Sequence, residues 1–97
     1  MATTKSYKEY VLEQLSILED ITCRPMMGEY LLYYKGLLFG GIYDDRLLVK
    51  KTDSNKKYQM EDAIPYEKAK PMYLVSDIDN SDLLKNIVLD TYQGLLN

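Results

Sequence analysis

Apolar and polar positions alternate along this chain in two different periods, and the change of period marks its elements. Tyr7, Val11, Leu15 and Leu18 recur at helical spacing, with Lys8, Glu9, Glu13 and Glu19 mostly opposite. Ser6 and Glu9 match a capping box, so the spacing predicts a helix from about Tyr7 to about Glu19. From Ile21 the pattern turns β-branched and apolar. Ile21–Met27 reads as a strand that Pro25 confines to a sheet edge or a bulge, and Gly28-Glu29 reads as a turn. Tyr30–Tyr34 and Leu37–Tyr43 are strands joined by the tight Lys35-Gly36 hairpin, and Asp44-Asp45 turns the chain into a fourth strand, Arg46–Lys51. Thr52–Ala63, with Asp53 and Ser54 as cap candidates, predicts a short helix that Ile64-Pro65-Tyr66 breaks. Met72–Ser76 is a fifth strand. Asp79 or Asn80 then caps a last helix whose stripe is Leu84, Ile87, Val88, Thr91, Tyr92 and Leu95.

The order α-β-β-β-β-α-β-α gives an α+β fold: two layers, a mostly antiparallel sheet of about five strands packed against helices. No linker, repeat or low-complexity stretch divides residues 1–97, so a single domain is expected. The meander is apolar on both sides: Tyr30, Leu32 and Tyr34 lie on one face, Leu31 and Tyr33 on the other. A sheet covered on one face alternates apolar with polar. The second face is therefore expected to be a contact surface for a second copy, which makes the chain a homodimer.

Composition narrows the chemistry. The chain has 97 residues, a net charge of −3, one Cys and no His. Without His, and with one thiol, the usual zinc-ligand sets cannot be assembled, and a cytoplasmic setting is expected. No apolar run approaches a membrane span, and the start MATTKSYKEY has no signal-peptide run, so no membrane role is expected. Residues 46–70 carry seven Lys or Arg against four Asp or Glu, a local basic patch in an acidic chain. That balance disfavours nucleic acid as a partner, since duplex binding leans on several phosphate contacts.

The candidate catalytic motifs have plainer readings. Cys23 falls in a strand, where a small buried hydrophobe is expected rather than a nucleophile without a base. Asp77-Ile-Asp79-Asn-Ser81 opens like a calcium loop, yet position six is Asp82 rather than Gly and position twelve is Val88 rather than Glu. Asp44-Asp45 is turn chemistry at a solvated tip, and Gly40-Gly41 sits mid-strand, where glycines mark a bulge or a close backbone approach. No enzyme activity, cofactor or metal is expected. Ten Tyr and five Met are the strongest compositional signal. They fill a small core that lacks Trp, or they form an adaptable contact surface.

Arg24, Met26, Gly28, Leu32-Tyr33, Gly36, Phe39 and Leu47-Leu48-Val49-Lys50, followed by Ile64-Pro65-Tyr66 and Lys70-Pro71-Met72-Tyr73, form a longer pattern. Over about residues 7–96 it resembles the TfoX/Sxy N-terminal domain family. Met27 stands where that family has Phe, and Glu29 and Leu31 where it tends to have Gly. The resemblance implies an α+β fold similar to secretion chaperones, frequent dimerisation, and a tie to regulation of natural competence. Longer members carry a C-terminal helical domain, so the expectation is the N-terminal module without it. The function expected is a non-enzymatic, regulatory protein-interaction module, homodimeric, with an unidentified protein partner such as the transcription machinery. The candidate surface is Arg24, Met26, Met27, Glu29, Tyr30, Tyr33, Tyr34, Arg46, Lys50 and Tyr73. The alternatives are a nucleic-acid accessory domain using the Arg46–Lys57 basic patch, or a small-molecule-binding domain with a pocket between sheet and helices.

Overall fold

A computed structural model describes residues 2–96. Helix α1 spans Lys5–Leu15, because Thr4 rather than Ser6 caps it: the Thr4 hydroxyl accepts from the Tyr7 N–H at 3.2 Å. Thr4 is fixed in turn by the Asp45 carboxylate, which accepts from its backbone N–H and its hydroxyl. The helix ends four residues before the expected Glu19. The Ser16 hydroxyl bonds the Glu13 carbonyl, and Asp20 enters the left-handed region. Val11 and Leu15 are buried, and Leu18 still packs against the core from beyond the helix end.

Strands β1 (Ile21–Met26), β2 (Glu29–Tyr34), β3 (Leu37–Ile42) and β4 (Leu47–Val49) form the expected meander. Each connection is a two-residue turn with both central residues at positive φ: Met27-Gly28, Lys35-Gly36 and Asp44-Asp45. Such turns match the right-handed twist of their strands. The first turn is thus Met27-Gly28, one residue earlier than expected, and Glu29 pairs with Met26 as a strand residue. Between β2 and β3 the register shifts. Leu32 pairs with Gly40 and Tyr33 with Leu38, so Phe39 is the extra residue of a bulge and is fully buried. Gly40 is required there, because a Cβ would lie 2.2 Å from the Leu48 carbonyl oxygen.

The expected helix over Thr52–Ala63 is shorter and tighter, a 3-10 helix at Asp53–Tyr58. Thr52 and Asn55 close a reciprocal capping box at its start, and Gln59 ends it in the left-handed region. The chain is then free to form β5 (Glu61–Ala63) against β6 (Met72–Val75). The sheet has six strands rather than about five, in the order β1-β2-β3-β4-β6-β5, antiparallel throughout and open. Helix α2 (Ser81–Leu96) starts at Asn80, whose side chain accepts from the Leu83 N–H.

Both helices pack on one face of the sheet. Leu32, Phe39, Ile42, Leu47, Val49 and Val75 meet Val11 and Leu15 of α1 and Leu84, Ile87 and Val88 of α2 in a single core. The result is the two-layer α+β fold. No helix among the described residues is long and apolar enough to cross a membrane.

Candidate functional site

Side chains on paired antiparallel residues point to the same side, which sorts the sheet into two faces. The inner, helix-covered face carries Tyr30, Leu32 and Tyr34 on β2, with Tyr73 further across the sheet. The outer face carries Thr22, Arg24 and Met26 of β1, Leu31 and Tyr33 of β2, Leu38 of β3, Leu48 of β4 and Met72 of β6. Among the described residues no helix packs on it. Residues 64–71, between β5 and β6, lean over it, and Leu48 is fully buried there although it is absent from the helix-side core.

The structure divides the sequence candidates between the faces. Tyr34, expected to be partly exposed, is buried edge-on against Tyr92, with ring centroids 4.9 Å apart. Tyr73 is buried with the Lys51 ammonium over its ring, and Tyr30 packs against the core beneath Lys8. These three tyrosines belong to the helix side. Glu29 is an anchor: its carboxylate accepts from the Thr3 N–H at 2.8 Å, the Thr3 hydroxyl at 2.7 Å and the Asp44 N–H. It ties the N-terminal segment and the β3–β4 turn to β2. Arg46 is structural as well, donating to the carbonyl oxygens of Tyr43, Ile64 and Pro65.

Arg24, Met26, Met27, Tyr33 and Lys50 remain available for contact. Arg24 stacks over the Tyr33 ring at 5.4 Å, a cation–π pair half open to solvent. Met27, at the tip of the first hairpin, is almost wholly exposed. Met26 and Lys50 border an apolar cleft of about 630 Å³ between the outer face and residues 64–71. Leu31, Leu38 and Met72 line the sheet side of this cleft, while Pro65, Tyr66 and Pro71 line the other. Sequence reading missed the role of 64–71, treating it as a break followed by an extended approach to β6. The available signal was an apolar content unusual for a connection: Ile64, Pro65, Tyr66, Ala69, Pro71.

Three groups outside the outer face, Cys23, Tyr58 and Asp90, have shifted titration. Burial pushes the Cys23 thiol above its ordinary value, against a smaller opposing effect of Lys8, which lowers its reactivity. The Tyr58 hydroxyl donates to Asp90 at 2.5 Å. Burial first, and then this bond, push Tyr58 up to about 12, and the same bond holds Asp90 below the usual carboxylate value. Among the described residues no group of three or more metal-ligating side chains is gathered.

Comparison with known sequences gives the family. The pattern of the TfoX N-terminal domain matches residues 13–93. The chain belongs to the TfoX N-terminal domain family. A second match is the protein of Spirochaeta aurantia described as an uncharacterized 12.7 kDa protein in the trpE 5′ region. It is 32% identical over 80 residues, which are 80% of this chain and 70% of the relative. The TfoX N-terminal domain match takes in every strand, most of α2 and only the last turn of α1. Thr3 and Thr4, which dock on Glu29 and Asp45, precede it.

Proposed function

We propose that this TfoX N-terminal domain is a non-enzymatic regulatory interaction module, acting in the cytoplasm and self-associating through the β1–β2 part of its outer face. The observation that carries this reading is the Arg24–Tyr33 pair on a sheet face that no helix covers, beside half-buried Leu31 and Leu38. Tyr and Arg are the side chains that interfaces favour. The family's tie to competence regulation supports a role in transcriptional control through a protein partner. The nucleic-acid alternative has less of its basic patch to draw on: Lys51, Lys56 and Lys57 pair with Asp62, Asp53 and Asp90, and Arg46 holds backbone carbonyls, which leaves Lys50.

Light scattering on the wild type and on Tyr33→Asp tests the self-association. The expected result is a wild-type dimer and a folded Tyr33→Asp monomer, with association weakened about a hundredfold or more, as for a central aromatic anchor. A wild-type monomer at high protein concentration sinks the reading.

A further inference from the structure

Residues 64–71 are more chain than a connection between neighbouring antiparallel strands requires, since hairpin loops usually take about 2–5 residues. The extra length is spent leaning over the outer face. Arg46 grips its start, donating to the carbonyl oxygens of Ile64 at 3.0 Å and Pro65 at 3.5 Å. Tyr66 approaches Tyr43 with ring centroids 6.2 Å apart, and the Ala69 N–H closes a turn on the Tyr66 carbonyl. A roof is thereby held over the sheet, and the space beneath it stays open at about 630 Å³. Pockets of about 300–1,000 Å³ take ligands of ordinary small-molecule size.

The charge around this space is one-sided. Three lysines, Lys50, Lys51 and Lys70, line it and no carboxylate does, in a chain whose net charge is −3. Lys51 is held by Asp62 at 2.7 Å. Lys50 and Lys70 enter none of the ion pairs among the described residues. Walls of Leu31, Leu38 and Pro65 suit an apolar body, and two ammonium groups outside the ion pairs suit an anion at its end. Met26 and Met72 add flexible thioethers that adapt to chains of varying shape.

The geometry points to a binding site for a small amphipathic carboxylate, an alkyl or aryl chain ending in one carboxyl group, between the outer sheet face and residues 64–71. The apolar body lies on Leu31, Leu38 and Met72, and the carboxylate is met by Lys50 and Lys70. This site lies on the face opposite the helices, away from the sheet–helix interface that sequence reading offered for a pocket.

The test is a titration of the full, ¹⁵N-labelled chain with decanoate below its micelle concentration, with decanol and decyltrimethylammonium as matched probes. Saturable shifts of the Leu31, Leu38 and Met72 amides are expected with decanoate. Affinity should fall about tenfold for decanol, and by a similar factor for decanoate on Lys70→Glu, the scale of one near-surface charge contact. Lys70 is exposed, so Lys70→Glu should melt with the wild type. Equal affinity for all three probes, an unchanged affinity on Lys70→Glu, or no shifts at millimolar decanoate would each overturn the site. Shifts of these amides that follow protein concentration alone would place a second copy in the cleft instead, and overturn it as well. The site shares Leu31 and Leu38 with the proposed self-association face, but Tyr33 does not line the cleft, so Tyr33→Asp should still bind decanoate even if the wild type is already a monomer.

Discussion

Asn55 is a polar residue with no exposure at all; its side chain makes three hydrogen bonds and its backbone N–H a fourth. Its amide nitrogen donates to the Lys50 carbonyl at 2.9 Å and to the Thr91 hydroxyl at 2.8 Å, and its oxygen accepts from the Thr52 N–H at 3.0 Å. The end of β4, the 3-10 helix and α2 meet on this one group. Asn55→Ala strands those partners in the interior and should cost about 3 kcal/mol, read as a lower urea midpoint at unchanged slope. Sequence reading found Asp53 and Ser54 as caps here, since it had no means of knowing that Thr91 would arrive from 36 residues away. Asp90 gives a second test at this scale. Its folded carboxyl sits below the ordinary 3.8 because Tyr58 bonds the ionised form. The contribution is therefore complete above that value and is lost as pH falls through the lower folded one. Between about pH 5 and pH 2 the wild type should lose more stability than Asp90→Asn, which has no charge there to lose. At the alkaline end Tyr58, raised to about 12, keeps its contribution up to pH 10.0 and loses it as pH rises towards 12.

The hairpins show what a single element needs. Met27 and Gly28 have φ of 51° and 85°, the left-handed pair that Asn-Gly adopts most readily. Met27→Asn should raise stability by about 0.5 kcal/mol, or roughly 2–4 °C in Tm by calorimetry. It removes an almost fully exposed apolar side chain at the same time. Turn chemistry made Lys35-Gly36 and Asp44-Asp45 legible, but Gly28 admitted two readings, with the glycine first or second in the turn. Pairing of Met26 with Glu29 decides for the second, because Glu29 then reaches Thr3 and Asp44. Strand β5 was less legible. Its three residues, Glu61, Asp62 and Ala63, have poor strand propensity, and they are recruited by the free edge of β6.

At the scale of the molecule, the arrangement is one sheet with a helix-packed face and a face that residues 64–71 roof in part. Tyr33 lies outside the helix-side core, so Tyr33→Asp should leave the melting temperature within a few degrees of the wild type. Its effect should appear in the solution mass alone. That separation of stability from assembly is what a surface residue gives and a core residue such as Tyr34, one position along β2, cannot.

The α+β class, the antiparallel meander, two of its three turns, the edge position of Pro25 and the apolar stripes of both helices were legible in the residue pattern. These follow from local period and turn chemistry, which act between residues close in the chain. Long-range packing set which tyrosines face the helices, made Glu29 and Arg46 anchors, and laid residues 64–71 over an apolar cleft bordered by lysines. Those outcomes depend on register across the sheet, where a shift of one residue exchanges the two faces. The bulge at Phe39 and the length of an irregular connection set that register, and neither leaves a period in the sequence.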